Sequence, residues 1–239
     1  MELKGKVVLV VGGAGGIGLG IARALVAEGC RVAVTDADEP ALDRATSDGA
    51  MSGYTCDVTD RSQVEALFEW LEREVGSIDI LVNSAGINVG NRMMANVDPA
   101  EFDRVMAVNT TGTFNCIHAA LPIMREKRSG LIVNIVSLAG LRVMLLAGMP
   151  YCVSKFATGA LGTFVNLEEA GNGIKVTNIY PGETNTPIVD KRPSPPPPER
   201  RAQMLQPEDI AACVVAVAKL PPRAVVPELV ITPPHMIVG

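Results

Sequence analysis

The chain has little to build a metal site from. It holds two histidines, at 118 and 235, and five cysteines, at 30, 56, 116, 152 and 213, with no C-x-x-C spacing and no Cys/His cluster. A zinc site needs such clustering and a disulfide framework needs an even, patterned set, so neither a metal nor a disulfide scaffold is expected. The thiols read as reduced core residues of a cytosolic protein. A basic run is also missing: 21 Lys and Arg stand against 26 Asp and Glu, a net charge of −5. That balance argues against nucleic acid or an anionic membrane as partner. Near the N-terminus only five apolar residues, Val7–Val11, precede two glycines, too few for a signal peptide or a membrane span. Aromatic residues make up 4% of the chain, with three tyrosines.

What is present is a repeating rhythm. Short β-branched runs occupy 7–11, 31–35, 53–56, 78–82, 131–136, 174–180 and 228–232. Helical patterns alternate with them. Ile17, Ile21 and Leu25 recur every four residues, and Val64, Leu67, Phe68 and Leu71 mark one face of a helix. Longer helices are predicted over 99–127 and 151–170, and a short one over 207–217. Near-continuous apolar strands separated by helices imply a parallel sheet covered on both faces. The expected fold is α/β: one doubly wound domain over 1–239, with a substrate-side excursion at 182–206. Within that excursion RPSPPPPER carries five prolines over 193–198. Proline rules out helix interior and central strand, so polyproline II or exposed loop is expected, with docking of a proline-binding partner as the other reading.

Directly after the first strand comes GGAGGIG, residues 12–18. Glycines let a ligand's phosphates approach the backbone, and the following helix aims free N–H groups and its positive dipole end at them. The second strand ends in Asp36. A carboxylate there can accept hydrogen bonds from an adenosine ribose diol and repels a 2′-phosphate. Ala37, Asp38 and Glu39 follow, with no arginine, so NAD(H) is favoured over NADP(H).

Further along, Tyr151-Cys-Val-Ser-Lys155 sets a phenol one helical turn from an ammonium. A free phenol ionises near pH 10, and an adjacent cation lowers that value, so the pair is a candidate acid/base. A packed tyrosine beside a solvated lysine is the plainer alternative.

Taken in order, Gly12, Gly16 and Gly18, Asp57-Val58, Asn83-Ser-Ala-Gly86, Asn109, Ser137, Tyr151, Lys155 and Pro181-Gly182 resemble the short-chain dehydrogenase/reductase family. The resemblance spans essentially the whole chain. It implies a Rossmann-type fold, a nicotinamide cofactor and hydride exchange between a secondary alcohol and a ketone. It implies that Gly12, Gly16 and Gly18 form the pyrophosphate turn, with Ile17 lending an amide. Asp36 would hold the ribose, and Asp57 and Val58 would flank the adenine. Asn83, Ala85 and Gly86 would line the cofactor, and Pro181, Gly182 and Thr186 its nicotinamide end. Asn109, Ser137, Tyr151 and Lys155 match the catalytic set. Tyr151 would exchange the proton, Ser137 would steady the substrate oxygen, and Lys155 would tune Tyr151 and bind ribose. Asn109 would hold a water linking Lys155 to solvent.

There are departures. Val11 stands where the family usually has threonine, Ser84 replaces a common asparagine, and the interval from Ser137 to Tyr151 is one residue longer than is usual in the family. Methionines 93, 94, 144 and 149 fall where the substrate end is expected, which hints at an apolar substrate. The alternatives are an NADPH-dependent 3-oxoacyl thioester reductase and a nucleotide-binding regulator without activity. Relatives assemble through two long helices, so a homodimer or homotetramer is expected.

Overall fold

The computed structural model describes residues 2–236. Among the described residues there are seven strands, β1 (Val7–Val11), β2 (Arg31–Asp36), β3 (Ser52–Thr55), β4 (Ile80–Asn83), β5 (Gly130–Ile135), β6 (Ile174–Pro181) and β7 (Glu228–Ile231). They form one parallel sheet in the order β3-β2-β1-β4-β5-β6-β7. Every residue of β1, β4 and β5 is buried, because helices cover both faces. On one face Val8, Val10, Val82 and Val133 meet α1 (Gly16–Ala27) and α8 (Pro207–Ala218) through Ile21, Leu25, Ile210 and Val214. On the other, Leu9, Leu81 and Ile132 meet α3 (Arg61–Glu74) and α5 (Thr113–Lys127) through Leu67, Leu71, Cys116 and Met124. The chain reverses its direction of travel across the sheet between β1 and β4. Such a switch point opens a crevice beyond the C-terminal strand ends.

Two elements differ from the sequence-based expectation. α2 (Glu39–Thr46) lies between β2 and β3, where no helix is predicted. Only Leu42 and Ala45 of it are buried, so it carries little periodic signal; Asp38 caps it by accepting from the Ala41 amide at 3.0 Å. The long helix expected over 99–127 is α4 (Pro99–Met106) and α5 joined by a wider π-helical stretch, Ala107–Gly112. One wide turn of this kind shifts the facing of everything after it. The proline-rich segment is loop until Pro197, and its last proline opens the one-turn α7 (Pro198–Arg201), a position where no amide hydrogen is needed.

α6 (Met149–Glu169) starts with Pro150 in its first turn and crosses β5 and β6 closely. Glycine makes this approach possible: a Cβ on Gly162 would stand 2.1 Å from Asn178 Oδ1, and one on Gly140 would stand 2.7 Å from the Lys155 carbonyl. Beneath α6, Asn83, Asn134 and Asn178 are register partners on three neighbouring strands. Asn83 donates to Asn134 (2.9 Å), Asn134 to Asn178 (3.0 Å), and Asn178 to the Gly159 carbonyl (2.9 Å).

Candidate active site

A cleft of about 640 Å³ opens over the C-terminal ends of the central strands. At one end lies the glycine turn. Gly12 adopts φ +73°, and a Cβ there would stand 2.6 Å from the Ala85 backbone. Gly18 packs tighter still, its missing Cβ only 2.1 Å from the Gly12 carbonyl oxygen. The turn is tied to β2 by Gly12 and Gly13 amides donating to the Thr35 carbonyl, at 2.8 and 3.1 Å. Asp36 accepts from the Ala14 amide (3.3 Å) and the Asp38 amide (3.2 Å), with its carboxylate on the cleft wall.

At the other end α6 brings Tyr151 and Lys155 to the wall, where β5 delivers Ser137. The Ser137 hydroxyl hydrogen-bonds the Tyr151 phenol and accepts the Ala139 amide at 3.1 Å. Lys155 Nζ lies 5.7 Å from the centre of the Tyr151 ring and donates to the Ile135 carbonyl at 2.9 Å. Gly86 lies alongside this lysine, where a Cβ would stand 3.4 Å from Nζ, an ordinary contact. Burial dominates the titration of both groups. It pushes the Tyr151 phenol up to about 12 against the Ser137 hydrogen bond, and pulls the Lys155 ammonium down to about 8. The sequence expectation assigns the lowering of the Tyr151 value to Lys155 and an oxidised nicotinamide together; in the free protein burial is the largest influence on both groups.

Of the residues singled out by sequence, Gly12, Gly16, Ile17, Asp36, Asp57, Val58, Ala85, Gly86, Ser137, Tyr151, Lys155, Pro181, Gly182 and Thr186 share this one cleft. Three do not line it. Gly18 closes the turn from behind. Asn83 turns into the asparagine row, donating to Asn134, with Oδ1 buried and unpartnered among the described residues. Asn109, in the π-helical stretch, accepts the Ile87 amide at 2.8 Å and donates to the Ile87 carbonyl and Ser154 Oγ, both at 3.0 Å. Its carbonyl accepts the hydroxyls of Thr113 (2.8 Å) and Thr158 (3.0 Å). Asn109 thus braces α6 against the loop after β4. Of the four methionines, only Met144 lines the cleft. Among the lining residues that the sequence reading did not single out are the charged Arg92, Arg104, Glu183 and Arg192.

Residues 6–196 match the family model for short chain dehydrogenase. The chain belongs to the short-chain dehydrogenase family. As a member of this family it is an NAD(P)-dependent oxidoreductase. This short-chain dehydrogenase is 36% identical over 234 residues to 2-(S)-hydroxypropyl-CoM dehydrogenase 3 of Xanthobacter autotrophicus, covering 90% of this chain and 89% of that one. It is also 36% identical over 242 residues to glycine betaine reductase ATRR of Emericella nidulans, covering 97% of this chain but 19% of that much longer protein. Among solved structures, the closed form of serine dehydrogenase complexed with NADP+ superposes with a TM-score of 0.90 at 26% identity, covering 98% of this chain and 97% of that one.

Proposed function

We propose that this short-chain dehydrogenase interconverts a secondary alcohol and a ketone with NAD(H), using Tyr151 as general acid and base. One observation carries the reading: the Tyr151 phenol, hydrogen-bonded to Ser137 and overlain by Lys155, shares a single cleft with a glycine turn and a strand-end aspartate. The residues suit a dinucleotide, because the turn is packed so tightly that a Cβ at Gly12 or Gly18 would fill it, and the α1 N-terminus follows. Gly12, Gly16, Ile17 and Gly18 would hold the pyrophosphate and Asp36 the adenosine ribose. Asp57 and Val58 would flank the adenine, with Asn83, Ala85 and Gly86 behind the sugar and Pro181, Gly182 and Thr186 at the nicotinamide end. Asp36 supports NAD(H) over NADP(H), since its carboxylate on the cleft wall repels a 2′-phosphate.

When bound, the cofactor supplies or accepts the hydride, and in its oxidised form adds a positive charge to the cleft. Tyr151 donates its proton to the carbonyl oxygen in reduction and takes the alcohol proton in oxidation. A neutral phenol with a raised pKa is ready for the first task; the second requires the added charge. Ser137 steadies the substrate oxygen as charge develops on it. Lys155 holds positive charge under the site, and Asn109 positions α6 against the loop that carries Gly86. Solution in the cytoplasm and assembly of two or four copies complete the reading. No helix among the described residues is long and apolar enough to cross a membrane.

The deciding experiment is Tyr151→Phe. Turnover of secondary alcohols with NAD falls by at least about a thousandfold, while the fluorescence titration with NADH stays within about threefold of wild type. NADH should bind more tightly than NADPH. Undiminished turnover in the variant defeats the assignment.

A further inference from the structure

The substrate end of the cleft holds a buried guanidinium without a counter-charge. Arg92 is 4% exposed and lies on the cleft wall. It donates to three backbone carbonyls: Gly90 at 3.4 Å, Leu146 at 3.2 Å and Lys191 at 2.7 Å. An arginine carries five N–H donors, so two remain. No carboxylate lies within ion-pair distance of it among the described residues. Burial first, and the positive charge of Arg192 second, depress its pKa. Arg192 lines the same wall and pairs with Glu183 at 3.0 Å, but Glu183 also serves Arg200 at 2.7 Å. Glu183 is therefore shared between Arg192 and Arg200, and Arg92 has no carboxylate of its own. Burying an arginine without an anion is costly. Three carbonyls offset part of that cost, and a fold needing only a staple between these loops could use a neutral side chain there. The walls nearby are apolar, with Leu138, Met144, Leu146, Ile188 and Val189.

We propose that the substrate carries an anionic group, a carboxylate, sulfonate or phosphate, that Arg92 accepts through its free N–H donors beside Arg192, with the apolar walls holding the carbon skeleton between that group and the reacting carbon. This rests on the alcohol/ketone reading and names the substrate class for it. A planar fork suits an oxyanion with two exposed oxygens, and a cationic substrate is repelled.

The test uses binding, so that it does not depend on turnover. Tyr151→Phe protein, with and without NADH, is titrated with 4-oxopentanoate and 5-oxohexanoate, each against its primary amide and a trimethylammonium analogue of the same length. The carboxylate of at least one length binds about tenfold or more tighter than its amide, as one charge-assisted hydrogen bond supplies. The cation binds weakest, and raised salt narrows the gap. Arg92→Met removes the preference while leaving amide binding within about threefold. A purely structural arginine would weaken acid and amide together. Should Arg92→Met fail to fold, Arg192→Gln, which keeps the three-carbonyl staple, reduces the preference severalfold. Equal binding of acid and amide at both lengths, in both forms of the protein, overturns the proposal. Failure of NADH to bind at all counts against the dehydrogenase reading instead.

Discussion

At the scale of single residues the site is governed by desolvation. Lys155 stands near pH 8 in the fold against 10.5 for a free lysine, and burial is the cause. Below pH 8 the ammonium is charged in both the folded and unfolded chains, so its desolvation cost is fully present. Above 10.5 it is neutral in both, and the cost is gone. Between these limits the unfolded chain binds more protons, so stability rises with pH. A shift of this size corresponds to roughly 3 kcal/mol. In the cofactor-free protein, the unfolding free energy of wild type relative to Lys155→Met should rise by that order between pH 7 and about 10.5, measured by urea denaturation. A difference that stays flat across the window means that Lys155 is solvated. The same balance acts on Tyr151: a hydrogen bond from Ser137 favours the phenolate, yet desolvation is the larger influence and raises the value.

At the scale of elements, precision comes from backbones in contact. The start of α1 rests on the turn before it, with the Gly18 α-carbon facing the Gly12 carbonyl oxygen. A methyl group at 2.1 Å has nowhere to go, because its neighbour is main chain rather than a flexible side chain. Gly18→Ala must therefore push α1 off the turn and misdirect its free amides. NADH affinity should fall by about tenfold or more, with the far-UV circular dichroism of the sheet unchanged. Retained affinity would show that the turn yields without cost. This level was partly readable in the sequence. Buried parallel strands such as β1, β4 and β5 write themselves as continuous apolar runs; the largely exposed edge strands β3 and β7 were placed by the alternating rhythm. The glycines, Asp36 and the Tyr151/Lys155 spacing are local patterns, and they met in one cleft. α2 was not readable, because a surface helix with two buried apolar residues has almost no periodicity. The bracing role of Asn109 depends on a π-helical stretch that shifts the facing of the helix it interrupts. Arg92 was invisible for another reason: its partners are carbonyls at 90, 146 and 191, and side-chain patterns say nothing about which distant main-chain oxygens converge.

At the scale of the whole molecule, the remaining question is the outer surface of α5 and α6. One face of these helices covers the sheet. The other leaves Phe114, Val153, Phe156, Phe164 and Leu167 in solvent, Phe164 at 65% and Leu167 at 75% exposure. Single exposed apolar residues are ordinary, but five on two helices make a patch that a lone soluble chain seldom carries. Charge touches only its end: along α6 Lys155 is buried, Glu169 pairs with Arg125, and Glu168 alone is an exposed charge, next to Leu167. Because α6 also bears Tyr151 and Lys155, a partner packed on this face would stiffen the helix that positions the chemistry. Phe164→Glu combined with Leu167→Glu places two charges in the middle of such an interface, where burying them unpaired is strongly unfavourable. Light scattering after size exclusion should show a dimer or tetramer for wild type and a monomer for the double variant. The variant monomer should still bind NADH, since neither side chain reaches the cleft, and its thermal midpoint should fall and lose its dependence on protein concentration. A wild-type chain that elutes as a monomer at micromolar concentration would assign the patch to some other partner.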